Sequence, residues 1–146
     1  MRRVLLSLSA LLFMNGICFA QGSGSDDGVG MIKACPKSPN CISSLDEDPD
    51  HAITPLTYTG SRAEAMACLK RVLASLKRTA IVSETENYLH AEATSLIFRF
   101  VDDVDFYFPP DEKTIHMRSA SRVGYSDLGV NRRRLEEIRR RMDEMK

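Results

Sequence analysis

The sequence has 146 residues with 20 basic and 20 acidic side chains, so its formal net charge at pH 7 is zero when the histidines are neutral. Because the chain has no excess positive charge, no overall field attracts nucleic acid, and we expect no nucleic-acid partner. This length suits one domain with a modest hydrophobic core.

Residues 1–20 have the pattern of a cleaved secretory signal peptide. The segment begins with two arginines, continues with a short apolar run and ends in small residues before the expected cleavage point after Ala20. The run is too short to cross a bilayer, so we predict export to the periplasm or cell envelope and no transmembrane span in the mature chain. A lipidated Cys18 is the alternative that these residues leave open.

The segment 21–30, QGSGSDDGVG, is rich in Gly, Ser and Asp and has almost nothing to bury. This composition predicts a flexible tether, which places the folded domain at residues 31–146. After cleavage the chain would keep 126 of its 146 residues and carry two more acidic than basic groups, since the leader contains two arginines. One domain therefore accounts for the mature chain.

Three cysteines would remain after cleavage. In an oxidising compartment, Cys35 and Cys41 of CPKSPNC are predicted to form a disulfide. Cys68 lies at the edge of an apolar helical stripe and is interpreted as a buried, reduced core residue. A metal site built from Cys35, Cys41 and His51 is the alternative, but no second pair of ligands stands nearby to complete a tetrahedral shell.

The sequence pattern in the first half of the domain predicts a strand followed by a helix. Residues 53–58 are expected to form a short strand. Ser61 and Glu64 have the spacing of a capping box, so a helix should begin there and extend to about Arg78. Its buried stripe should comprise Met66, Leu69, Val72, Leu73 and Leu76.

The second half predicts strands followed by a helix. Residues 80–86 and 88–95 alternate as strands, and a change of parity after the second indicates a turn or bulge. Residues 104–108 and 114–120 should pair as a hairpin around two prolines. Asn131 is predicted to cap a final helix. The apolar stripe of that helix should comprise Leu135, Ile138, Met142 and Met145.

These elements predict a single α+β domain in the order β-α-β-β-β-β-α. An antiparallel sheet of about four to five strands would carry two helices packed on one face. The other face would carry Arg99, Asp105 and His116, available to solvent or a ligand.

The segment FRFVDDVDF, residues 98–106, contains three aspartates between apolar residues. Asp102 shares the parity of the apolar positions, so it should point toward the core, where a carboxylate needs a partner. Arg118 and Arg122 are the candidate partners, because the arginine fork can satisfy both carboxylate oxygens. On this hypothesis the protein is a purely structural envelope protein with an internal Arg–Asp brace.

A second hypothesis makes the polar loop Arg118–Asn131, RSASRVGYSDLGVN, a binding site. Arginines, hydroxyls and the free amides of a helix start could converge on a phosphate or carboxylate. The candidate ligand-binding residues are Asp102, Asp103, Arg118, Ser119, Ser121, Arg122, Tyr125, Asp127 and Asn131. The protein would then be a non-catalytic module that binds a small anionic ligand or an envelope protein partner.

A third hypothesis is a hydrolase or lyase. Asp102 or Asp103 would act as acid or base, and Arg118 and Arg122 would bind an anionic substrate. The sequence contains no phosphate-cradling glycine loop, no GxSxG elbow and no HExxH pair. Enzyme activity is therefore left open, and we expect no cofactor and no metal site.

Four segments together resemble the family catalogued as domain of unknown function 1499: CPKSPNCISS, HAITPL, AEATSLIFRFVDDVDF and RSASRVGYSDLGVNRRRLEEIR. The resemblance extends from about Cys35 to Arg139 and implies an exported protein from a family that has no agreed activity. It also implies that the motif residues are Cys35, Pro36, Ser38, Pro39, Asn40, Cys41, Asp102, Asp103, Arg118, Ser119, Ser121, Arg122, Gly124, Asp127, Gly129, Asn131 and Arg134.

Overall fold

The computed structural model describes residues 32–145. The predicted signal peptide and tether, residues 1–30, lie outside the described residues. The elements in chain order are β1 (Cys41–Ser43), β2 (Leu56–Thr57), α1 (Arg62–Ser75), β3 (Thr79–Glu84), β4 (Tyr88–Thr94), β5 (Val101–Tyr107), β6 (Thr114–Ser121) and α2 (Val130–Glu144). Among these residues no helix is both long and apolar enough to cross a membrane.

The strands form one antiparallel sheet in the order β1-β6-β5-β4-β3, with β2 also paired to β6. The predicted α+β class is confirmed, with six strands instead of four to five. The added strand is β1, which follows the cysteine loop and pairs with β6 from Cys41 opposite Ala120 to Ser43 opposite Arg118. Its pairing was not predicted because three residues carry no period-two pattern.

The hydrophobic core lies between the sheet and the two helices. Strand alternation sends apolar side chains of β4, β5 and β6 to this face, and α1 and α2 cover it. Fully buried members include Leu69, Val72, Leu89, Ala91, Val104, Phe106, Ile115, Met117, Leu135 and Ile138. Met145 is exposed, so its predicted place in the stripe of α2 is wrong.

The capping box that starts α1 is confirmed. Ser61 Oγ accepts a hydrogen bond from the Glu64 backbone N–H at 3.2 Å, and Glu64 Oε2 accepts one from the Ser61 N–H at 2.8 Å. The helix ends at Ser75, earlier than predicted. Arg78 then takes a φ of 56°, a turn conformation that a helix cannot continue.

The prediction that Asn131 caps α2 is wrong. The cap residue is Gly129, whose φ of 76° suits glycine. Asp127 supplies the acceptors instead, because its two oxygens take the backbone N–H groups of Gly129 at 2.9 Å and Asn131 at 2.7 Å. Asn131 lies inside the first turn and is completely buried.

The cysteine predictions are confirmed in part. Cys35 and Cys41 form a disulfide, with their Cα atoms 5.6 Å apart. Cys68 is a free thiol at the edge of the core, but it is half-buried where full burial was expected. Arg99, predicted on the sheet face opposite the helices, lies instead in the turn between β4 and β5 with a φ of 57°.

Candidate functional site

Two neighbouring aspartates of β5 point to opposite faces of the sheet. Successive side chains along a strand alternate, so Asp102 faces the helices while Asp103 faces the other side. The face opposite the helices, here called the polar face, carries Tyr88, His90, Glu92, Asp103, Asp105 and Arg118. Each aspartate therefore belongs to a different polar network.

The helix-side network is centred on Arg134 of α2. Its Nη2 donates to Asp102 Oδ2 at 2.6 Å, and its Nη1 donates to Ser119 Oγ at 2.9 Å and Asn131 Oδ1 at 2.6 Å. Asn131 Nδ2 donates in turn to the backbone oxygen of Asn40 at 3.0 Å. This network ties α2, β5, β6 and the segment before β1 together beneath the helix.

The predicted pairing of Asp102 with Arg118 or Arg122 is therefore wrong. In β6, Ser119 and Ser121 share the face of Asp102, whereas Arg118 projects to the polar face. The brace that the sequence predicted exists, but its arginine comes from α2. That arginine was named only through the family resemblance.

On the polar face, Asp105 is the buried centre of a second network. Its Oδ1 accepts from the Tyr88 hydroxyl at 2.6 Å and lies 2.8 Å from His90 Nδ1, and its Oδ2 accepts from Arg118 Nη1 at 3.1 Å. Burial and then the hydrogen bond to Asp105 raise the pKa of Tyr88, so its hydroxyl remains a proton donor at neutral pH.

Arg122 holds the two carboxylates at the rim of this face. Its Nη2 donates to Asp103 Oδ1 at 2.7 Å and also to Glu92 Oε1, and these hydrogen bonds raise the pKa of the guanidinium. Burial alone would raise the pKa of Asp103, but the hydrogen bond and charge of Arg122, with His90 and Arg118, lower it. Asp103 is therefore ionised at neutral pH.

A solvent-open cavity of about 590 Å³ lies over these groups. It is lined by Lys33, Ser83, Tyr88, His90, Asp103, Asp105, Arg118, Ala120, Ser121 and Arg122. Arg118 is only 8% exposed, and its Nε is buried without a hydrogen-bond partner among the described residues. Buried polar groups are almost always paired, so this N–H is a donor left over by the fold.

Three polar-face residues have donor atoms close enough to hold a metal ion. One ligand atom each from His90, Glu92 and Asp103 lies within 4.8 Å of the others. Both carboxylates are already bridged by the guanidinium of Arg122, which supplies a positive charge there. A divalent cation would have to displace that side chain.

The predicted site residues divide between the two faces. Asp103, Arg118 and Arg122 line the cavity, and Ser121 borders it at the end of β6, although its Oγ accepts from Asn131 Nδ2 on the helix side. Asp102, Ser119 and Asn131 belong to the helix-side network, Asp127 holds the start of α2, and Tyr125 is exposed on the connecting loop. The sequence prediction omitted Lys33, Ser83, Tyr88, His90 and Asp105 from the site. The shared parity of Tyr88 and His90 in β4 was the available signal.

Comparison with known proteins identifies the chain at the level of a family. No curated protein and no solved structure matches the sequence. One family model, described as protein of unknown function (DUF1499), matches residues 31–142, which cover both networks and the cavity. The chain therefore belongs to the DUF1499 family.

Proposed function

We propose that this is an exported envelope protein that binds a small anionic ligand in the polar-face cavity without catalysing a reaction. The observation that carries the proposal is Arg118, a buried guanidinium beside the cavity with an unpaired Nε–H. An arginine fork binds a carboxylate or phosphate through two parallel hydrogen bonds, and Arg118 uses only Nη1 on Asp105. Nε and Nη2 have no hydrogen-bond partner among residues 32–145, so an anion at this edge of the guanidinium would accept two hydrogen bonds.

A lysine without an acidic partner at the cavity supports an anion as the ligand. Arg122 is shared by two carboxylates, Asp103 and Glu92, and Arg118 is paired with Asp105, so Lys33 is the cavity cation that remains without an acidic partner among the described residues. Lys33 forms no ion pair with any residue in 32–145. The cavity volume falls within the range of about 300 to 1,000 Å³ that is typical of small-molecule sites. This size favours a small ligand over the predicted protein partner.

The lowered pKa of Asp103 favours binding over catalysis. A general base works best when its pKa lies near the working pH, and an aspartate paired to Arg122 is a weak base. Asp102, the other predicted acid or base, is held by Arg134 on the far side of the sheet. A carboxylate-driven hydrolase or lyase therefore has little support in this arrangement.

One feature keeps an enzyme as the second candidate. His90 Nδ1 lies 2.8 Å from the buried Asp105, and His90 Nε2 lies 3.4 Å from Asp103 beside the cavity. A histidine oriented by a buried carboxylate is a common general acid or base. Hydrolysis of a chromogenic phosphate or carboxylate ester that disappears in His90→Gln would favour this candidate.

The purely structural hypothesis and the binding hypothesis apply to opposite faces. The Arg134–Asp102 pair supports an internal brace, whereas the cavity lies on the polar face. Export is supported by the Cys35–Cys41 disulfide, since such bonds persist in oxidising compartments, and by the predicted signal peptide.

The Nε–H of Arg118 is a direct reporter for the test. In a nitrogen-15 spectrum of the arginine Nε–H groups, inorganic phosphate, sulfate or citrate should shift the Arg118 signal. In thermal unfolding, the same anions should raise the melting temperature of the protein. Arg118→Lys keeps the charge but removes the fork, and should lose the stabilisation by anions. Arg71→Lys, an exposed arginine of α1 across the sheet, is the matched control. If no anion moves the Arg118 signal, the proposal fails.

A further inference from the structure

The turn between β4 and β5 exposes a group of large apolar side chains. Leu96, Ile97, Phe98 and Phe100, here called the apolar tip, are exposed by 67%, 78%, 72% and 49%. The two phenylalanine rings stack on each other with centroids 5.5 Å apart. Soluble domains rarely expose contiguous apolar groups of this kind, and those that do usually use them for an interaction.

The apolar tip is held by an ordered turn. The Ser95 N–H donates to the Phe100 carbonyl at 2.8 Å, and Ser95 Oγ accepts from the Phe100 N–H at 2.9 Å. The paired residues Thr94 and Val101 continue directly into the sheet. The four side chains therefore project from a closed hairpin at the end of two paired strands.

Cations without acidic partners surround the apolar tip. Arg99 lies within the turn, and Arg78 Nε donates to the carbonyl of Thr94 at its base. Lys77 lines a cavity together with Leu96, which places it beside the tip. None of Lys77, Arg78 and Arg99 forms an ion pair with a residue in 32–145.

The acidic groups at this end are already engaged. Asp102 pairs with Arg134, Glu92 pairs with Arg122, and Glu137 pairs with Arg140 and Arg141. Asp127 accepts two backbone N–H groups at the start of α2. The whole chain has equal numbers of basic and acidic residues. The positive charge around the tip is therefore a local excess that the composition of the whole chain does not show.

We propose that the apolar tip inserts into the surface of a lipid bilayer containing anionic lipids, with the three neighbouring cations, Lys77, Arg78 and Arg99, against the headgroups. A convex apolar projection with a basic surround matches interfacial insertion, which combines apolar burial with attraction to anionic lipid. A second copy of the chain would bring two basic surrounds together, and their repulsion opposes self-association through the tip. This inference does not depend on the proposed anion site.

Tryptophan fluorescence tests the insertion at the tip itself. The chain contains no Trp, so Phe98→Trp places a single indole there in the full-length protein. With vesicles of phosphatidylcholine and phosphatidylglycerol, we expect a blue-shifted emission that brominated acyl chains quench. Vesicles of phosphatidylcholine alone should give a weaker response. An emission that is indifferent to both kinds of vesicle overturns the proposal.

Leu45→Trp is the matched control for the reporter. Leu45 is an exposed apolar residue that follows β1, and the pairing of β1 with β6 leads away from the tip. Its emission should not respond to vesicles. If the Leu45→Trp emission shifts as much as that of Phe98→Trp, insertion is not localised at the tip and the proposal is wrong.

Substitutions in the Phe98→Trp background separate the apolar and charge contributions. Leu96→Ser with Ile97→Ser should weaken the vesicle response about tenfold or more. Arg99→Glu should weaken it several-fold with anionic vesicles only, and salt should have the same effect. Lys113→Glu, in the β5–β6 turn at the other end of the sheet, should leave it unchanged. An unaltered response in both tip variants contradicts the proposal.

Sedimentation without lipid tests whether a second copy of the chain binds to the apolar tip. We expect the unaltered protein and the double variant Leu96→Ser, Ile97→Ser to sediment as the same species. A dimer that dissociates on these substitutions would assign the apolar tip to self-association and overturn the membrane proposal.

Discussion

Asp102 and Asp103 are consecutive residues of β5, yet arginines on opposite sides of the sheet bind them. Arg134 of α2 donates to Asp102 at 2.6 Å, and Arg122, just after β6, donates to Asp103 at 2.7 Å. The side chains of Asp102 and Arg134 are 7% and 13% exposed, whereas that of Arg122 is 43% exposed. The same pair of residue types should therefore have different energetic roles on the two faces.

Arg134→Ala should be strongly destabilising. The substitution leaves the buried carboxylate of Asp102 without its charge partner and removes two hydrogen bonds to Ser119 and Asn131. We expect the free energy of unfolding in urea to fall by roughly 3 to 5 kcal/mol. Arg133→Ala, the exposed neighbour, should change it by less than about 0.5 kcal/mol. Equal stabilities for the two variants would show that the helix-side network contributes little.

Alanine substitutions of Arg118 and Arg122 should lower the free energy of unfolding less than Arg134→Ala does. Arg118→Ala leaves Asp105 buried, but Tyr88 and His90 still bond to it, so we expect a loss of about 1 to 3 kcal/mol. Arg122→Ala removes an exposed ion pair and should cost less than about 1 kcal/mol. Urea unfolding of both variants measures this. A larger loss for Arg122 than for Arg118 would contradict the burial argument.

The ion pair of Asp103 should contribute stability only above acidic pH. The pKa of Asp103 is lowered from its ordinary value of 3.8, so the folded state favours the ionised form. Its contribution is fully present well above the ordinary pKa and is lost as the pH falls through the lower pKa of the folded state. The difference in unfolding free energy between the protein and Asp103→Asn should shrink over this range. A difference that does not vary with pH would exclude this linkage.

The Cys35–Cys41 disulfide closes a short loop and should have a modest effect on stability. By loop entropy, replacing both cysteines with alanine should lower the free energy of unfolding by about 2 kcal/mol. Reduction of the unaltered protein should give a similar loss. Mass mapping under denaturing alkylation should find Cys68 modified and the pair protected. Recovery of Cys68 in a disulfide would contradict the structure.

Local signals in the sequence were sufficient for much of the fold. The capping box of Ser61 and Glu64 and the period-two alternation of β4, β5 and β6 involve residues a few positions apart. They predicted the α+β class, the inward direction of Asp102 and the Cys35–Cys41 pair. Such features are determined by the chain's own geometry, because neighbouring residues are already held close together.

Tertiary structure alone decided which polar groups meet. Asp102 pairs with Arg134, which is 32 positions away and on a different element, and Lys33 reaches a cavity lined by β4, β5 and β6. Several arginines of the chain could have formed the ion pair with Asp102, and the sequence composition does not distinguish among them. The choice follows from how α2 packs across β5 and β6, since this packing brings the Arg134 fork against Asp102 while strand alternation turns Arg118 away.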